Sequence, residues 1–101
     1  MDIHKHVTKR CEKYPLYSQE KVKDPIICAK LFFPIGKATW YITEYNPVTF
    51  TAFGFVVGLG TDEWGYISIS ELTQVRLAGA IAVEFDRNFE PTTTSELGIP
   101  R

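Results

Sequence analysis

The sequence predicts an α+β fold: one small domain, residues 1–101, built on an antiparallel sheet of about four to five strands with one or two short helices packed on it. Three observations lead there. Aromatic residues make up 14% of the 101 positions, a share that suits pleated surfaces. Apolar runs of strand length alternate with Pro, Gly and Asn turn signals. Only two short stretches carry helical spacing. The segment KLFFPIGKATWYITEY, Lys30 to Tyr45, holds the pattern in miniature, with two strand-like runs around a turn and a Trp-Tyr pair followed by a carboxylate.

Taken in order, Ile3, Val7, Cys11 and Tyr14 recur at intervals of four and three. That spacing sets them on one side of a helix ending before Pro15, with Lys5, Lys9, Arg10 and Lys13 mostly off the stripe. The stripe is narrow and terminal, so residues 1–13 read either as this helix or as a frayed arm. Pro15 and SQEKVKD form a connector, and Pro25 opens the first strand, IICAKLFF. Pro34, Gly36 and Lys37 supply a turn, and ATWYITEY returns as the second strand of a hairpin. Simple alternation divides it into Thr39, Tyr41, Thr43 and Tyr45 against Trp40, Ile42 and Glu44. After Asn46-Pro47, FTAFGFVVGLG reads as a third strand in which Gly54 and Gly58 mark a bulge or a close backbone approach. Asp62, Glu63 and Gly65 form a loop before the strand WGYISI, which completes a meander. Ser68 followed three residues later by Glu71 is a capping box, and Ile69, Leu72, Val75 and Arg76 continue it as a short helix. Leu77 to Ala80 break that helix, IAVEF is the last strand, and residues 92–101 read as a loose tail.

No apolar run approaches the roughly 20 residues that span a bilayer, and MDIHKHVTKR lacks the apolar core of a signal peptide, so no membrane partner and a cytoplasmic location are expected. In that compartment Cys11 and Cys28, far apart and in unlike contexts, read as reduced thiols. Residues 1–61 carry eight Lys/Arg against five Asp/Glu, and residues 62–101 carry three against seven. This polarity argues against direct nucleic-acid binding, which needs a clustered basic surface.

Catalytic chemistry is sparse. Glu84 and Asp86 stand two apart, so a strand through both sends them to one face, where Glu44 or Glu71 could complete a Mg²⁺ site. An outward, solvated strand face explains the same spacing with fewer assumptions. His4 and His6 with Cys11 offer metal-ligand chemistry but no fourth ligand. No Ser-His-Asp or Cys-His arrangement is present, and Gly54, Gly58 and Gly60 lack the lysine of a phosphate loop. No cofactor is called for. Phe50, Phe53, Phe55, Trp64 and Tyr66 could stack bases, yet few basic residues accompany them, and packing accounts for them more simply. An exposed aromatic patch drawn from Trp40, Tyr41, Tyr45, Trp64 and Tyr66 would instead suit a protein partner.

Read together, YPLYSQE, DPIICAKLF, ATWYITEY, FGFVVG, EWGYISISEL and VEFD resemble the uncharacterised family known as domain of unknown function 2958, over about Tyr14 to Glu90. HKHVTKRCEK lies outside the resemblance. Members close the last box with an acidic-basic-acidic triplet, whereas here Phe85 separates Glu84 from Asp86 and Arg87 follows. The resemblance implies genes carried on plasmids, phages and other mobile elements. It points to a non-catalytic accessory protein that binds a host protein, in its sharpest form an inhibitor of a host defence nuclease in the manner of anti-CRISPR proteins. The expected partner surface comprises Trp40, Tyr41, Glu44, Asp62, Glu63, Trp64, Tyr66, Glu84 and Asp86, with the carboxylates and Glu90 imitating phosphates. Charge reversal at Glu84 and Asp86 would then abolish partner binding. The alternative is a small divalent-metal-dependent hydrolase or nuclease using Glu84 and Asp86, with Lys30 stabilising developing negative charge. Either a monomer or a homodimer through an exposed edge strand is compatible with the chain.

Overall fold

A computed structural model describes residues 2–100. Its elements are α1 (Ile3–Arg10), β1 (Ile26–Ile27), β2 (Ala29–Phe32), β3 (Thr39–Asn46), β4 (Thr51–Val57), β5 (Glu63–Ser68), α2 (Ile69–Leu72), β6 (Arg76–Leu77), β7 (Ile81–Ala82), β8 (Glu84–Phe85), β9 (Thr92–Thr93) and a 3-10 turn at Ser95–Leu97. The architecture is α+β, on a five-stranded antiparallel sheet of order β5-β4-β3-β2-β8. Among the described residues no helix is long and apolar enough to cross a membrane.

The N-terminal stripe forms a helix, not an arm. Asp2 caps it by accepting the Lys5 amide at 3.2 Å, and Lys9 and Arg10 complement the negative end of its dipole. Ile3, Val7 and Cys11 are buried. Arg10 donates to the carbonyls of Phe89 and Arg87, and His6 stacks on Phe85 at 4.9 Å, so the helix is held to the distant end of the chain.

The meander appears as the turn chemistry requires, with β5 already beginning at Glu63. Two runs expected to be single strands are divided. IICAKLFF splits at Cys28, where β1 turns to pair with β9 while β2 stays in the sheet. IAVEF splits at Val83, giving β7 to a hairpin with β6 and β8 to the sheet edge beside β2. That hairpin also ends the second helix at Leu72, since Arg76 is needed as a strand residue. Ala78 and Gly79, at φ 53° and 75°, form the tight turn between β6 and β7.

One face of the sheet carries the core. Leu31, Trp40, Ile42, Ala52, Ile67 and Phe85 pack there with Ile3 and Val7 of α1 and Ile69 and Leu72 of α2. The side-chain division expected for β3 fails after Ile42. The register steps from Ile42↔Gly54 to Glu44↔Phe53, so Thr43 is an extra residue in a β-bulge. Trp40, Ile42 and Tyr45 therefore share the core face, while Tyr41 and Glu44 share the opposite one.

Two further expectations are corrected. Cys11 and Cys28 form a disulfide with Cα atoms 5.5 Å apart, because α1 lies across the start of β2 and brings the two side chains together in the core. The segment expected to be a loose tail is tied down instead. Thr92 and Thr93 pair with β1, the fully buried Thr94 hydroxyl donates to the Pro25 carbonyl at 2.6 Å, and Ser95 bonds Asp24 through its amide and hydroxyl.

Candidate functional site

The face away from the helices is organised by cross-strand register into two rows. Trp64, Phe55, Tyr41 and Lys30 stand opposite one another along the first, and Tyr66, Phe53 and Glu44 along the second. Neighbouring rings on a pleated face are at contact distance. Phe53 meets Tyr66 edge-on at 5.1 Å and lies parallel to Trp64 at 5.9 Å, while Phe55 and Trp64 are 5.3 Å apart. One glycine permits the close strand approach. A Cβ on Gly54 would lie 2.1 Å from the Tyr41 carbonyl oxygen, whereas Gly65 beside it faces open space.

The rows end differently. The first ends on Lys30, whose ammonium lies 5.8 Å from the Tyr41 ring centre and 3.5 Å from Asp86. The second ends on Glu44, only 3% exposed, whose two oxygens accept the backbone amides of Tyr17 at 2.8 Å and Gln19 at 2.9 Å. Charge-assisted bonds of this kind hold a segment firmly. Tyr17 takes φ 74°, a left-handed conformation unusual for an aromatic residue, and its bonded amide fixes it there. Gln19, itself buried, reinforces the clamp by donating to the carbonyls of Thr43 and Ile26 and accepting the Ile26 amide.

The clamped connector makes a cleft of about 260 Å³ out of the sheet face, with Tyr17, Phe53, Trp64 and Tyr66 as aromatic walls and Glu20 and Glu44 as its acids. Tyr17 and Tyr66 are 60% and 61% exposed, so the cleft is open at its rim. The Tyr66 phenol titrates above its usual value, first through desolvation despite the exposure of the ring, then through the neighbouring Tyr17, Glu20 and Glu44. The cleft is thus apolar and electronegative.

Of the residues expected at a partner surface, the structure gathers Glu44, Trp64 and Tyr66 in this cleft and places Tyr41 on the same face. Trp40 belongs to the core and so does Tyr45, turned inward by the bulge. Asp62 accepts the Gly58 amide at 3.1 Å, and Glu63 lies on β5 at one edge of the sheet. Glu84 lies on β8 at the other edge, with Asp86 just beyond, bonded to Lys30 and to the Asn88 amide. Those edges are four strand spacings apart, about 19 Å, so the acids do not form one stripe. Phe85, which interrupts the acidic triplet, is an inward core residue, as the pleat requires between two outward carboxylates. Among the described residues no three His, Cys, Asp or Glu side chains gather to hold a metal ion. Glu44 is committed to the clamp, His4 packs on Phe50 at 4.2 Å and bonds the Tyr45 hydroxyl at 3.3 Å, and Cys11 is in the disulfide.

Sequence reasoning missed Tyr17 and Glu20, because both sit in a stretch read as connector. The available signal was the exposed-looking Tyr in PLY, close to Pro15 and ahead of a run of polar residues.

The chain matches no curated protein and no solved structure. The model of the family described as protein of unknown function DUF2958 matches residues 3–97, including the N-terminal helix that the quoted motifs leave out. With nearly the whole length matched, the chain belongs to that family.

Proposed function

We propose that this protein is a non-catalytic binding module that captures a protein partner through the aromatic face of its sheet. The observation that carries the reading is the open cleft whose rim places Tyr17 and Tyr66, each about 60% exposed, over a sheet face already rich in aromatic rings. Large exposed rings cost solvation without adding to the core, and interface centres favour Tyr and Trp. The finer reading is a cytoplasmic accessory protein of a mobile genetic element that occupies a host enzyme, a defence nuclease in its sharpest form. The family membership and the resemblance of its motifs support it, and the contact is made by the aromatic face more readily than by acids divided between two sheet edges.

The test is affinity capture from the host with tagged wild-type protein, Tyr66→Ala and Glu84→Lys, followed by mass spectrometry. Both substituted side chains are exposed, so both variants should keep the wild-type melting temperature within about 2 °C. A partner held by wild type and Glu84→Lys but lost by Tyr66→Ala is expected. Loss by Glu84→Lys alone would move the site to the β8 edge and overturn the aromatic-face reading.

A further inference from the structure

We infer that the cleft is a receptor for a guanidinium group, an arginine side chain presented by the partner protein; this rests on the binding-module reading and names the chemistry it recognises.

The two rows of the same sheet face differ in how their rings and acids are partnered. Where Tyr41 approaches the carboxylate of Asp86, the chain inserts its own cation, Lys30, between ring and acid. On the helix side of the sheet, Arg10 of α1 similarly lies 5.6 Å from the Phe85 ring centre. The cleft built over the second row offers the same two ingredients in greater measure, four aromatic side chains (Tyr17, Phe53, Trp64 and Tyr66) and two carboxylates (Glu20 and Glu44), and none of the residues lining it is cationic. The negative faces of the rings and the acids that line the cleft act together on whatever enters.

The occupant that fits is cationic, flat and weakly hydrated. An anion would meet Glu20 and Glu44, and a purely apolar group would bring no cation to the acids that line the cleft. A primary ammonium is a compact, strongly hydrated charge, whereas a guanidinium stacks on ring faces and directs its in-plane N–H donors at carboxylates. Glu44 is held by two backbone amides in one orientation, and each of its oxygens retains a free lone pair for a further donor. Glu20, on the exposed rim, can close on the entering group.

The probe is acetyl-Gly-Arg-Gly-amide, titrated into ¹⁵N-labelled protein and followed through the two tryptophan indole resonances. Trp64 lines the cleft and Trp40 lies buried on the opposite face, so Trp40 is an internal reference. The matched peptides replace arginine by lysine or by citrulline, its neutral isostere. We expect saturable movement of Trp64 with the arginine peptide, at least tenfold weaker binding of the citrulline peptide, lysine in between, and severalfold weakening by Glu20→Gln. Equal response to arginine and citrulline, or arginine-induced shifts that spare Trp64, would overturn the inference. Host capture with Tyr66→Ala separates the two claims. A partner lost by that variant without arginine selectivity removes the guanidinium assignment and leaves the binding module standing. Arginine selectivity without any Tyr66-dependent partner retains the cleft chemistry and removes the protein-capture reading.

Discussion

Glu44 fixes the cleft from below. Its carboxylate satisfies the buried amide of Gln19 and the half-buried amide of Tyr17, a residue in a strained conformation. Replacing it with alanine removes both acceptors, and an unsatisfied buried donor costs about 1 to 3 kcal/mol, so Glu44→Ala should lose about 3 kcal/mol in urea unfolding. Glu44→Gln keeps one acceptor but turns an NH₂ toward the other amide, and should lose about 2 kcal/mol. Glu20→Gln, on the exposed rim of the same cleft, should stay within about 0.5 kcal/mol of wild type. A Glu44→Ala protein as stable as Glu20→Gln would show that the connector is held by something other than this clamp. The role of Glu44 was hidden from the sequence for a specific reason. Strict alternation from Trp40 and Ile42 assigns Glu44 to the core side, and only the register against β4 reveals that Thr43 is an extra residue. Nothing in TWYITEYN marks the bulge.

Among the elements, the β3–β4–β5 ladder is where backbone spacing dictates side chains. Gly54 is paired with Ile42 on one side and Gly65 on the other, and its missing Cβ is where the Tyr41 carbonyl sits. A Gly54→Ala chain must move β3 or β4 apart at the point where the cleft floor is built, a clash of overpacking type costing about 1 to 3 kcal/mol. Gly65→Ala meets no atom within 4 Å and should be near neutral or mildly stabilising, since alanine restricts the unfolded chain. Comparing the melting temperatures of the two variants checks this; equal losses would mean that strand propensity, and not strand approach, sets the cost. These glycines also show what was legible. Turn residues and apolar runs sufficed for the hairpin, the meander and the helix start at Ser68. They could not show that IICAKLFF and IAVEF each serve two partners, because periodicity records which residues are apolar and is silent on what pairs with them.

For the whole molecule, the two sides of the sheet have separate supports, and this separates stability from recognition. The helix side is closed by the Cys11–Cys28 link and by Arg10 holding the segment after β8. The cleft side is closed by the connector on Glu44 and by the pairing of β1 with β9. Spacing and compartment favoured free thiols in the sequence; what they could not convey is that α1 crosses the start of β2, which is a property of packing. The bridge spans 17 positions, and closing a loop of that size in the unfolded chain stabilises the fold by about 3 kcal/mol. Intact mass should therefore be about 2 Da below that of the fully reduced chain, one hydrogen lost per sulfur. Reduction, or Cys11→Ser with Cys28→Ser, should lower denaturant stability by about 3 kcal/mol. Because neither sulfur lines the cleft, the reduced protein, while folded, should give the same Trp64 response to the arginine peptide as the bridged one. A reducing cytoplasm would then cost the protein stability and leave its recognition intact. Loss of the arginine response on reduction, under conditions where the fold persists, would show instead that the helix side positions the cleft and that the bridge governs binding.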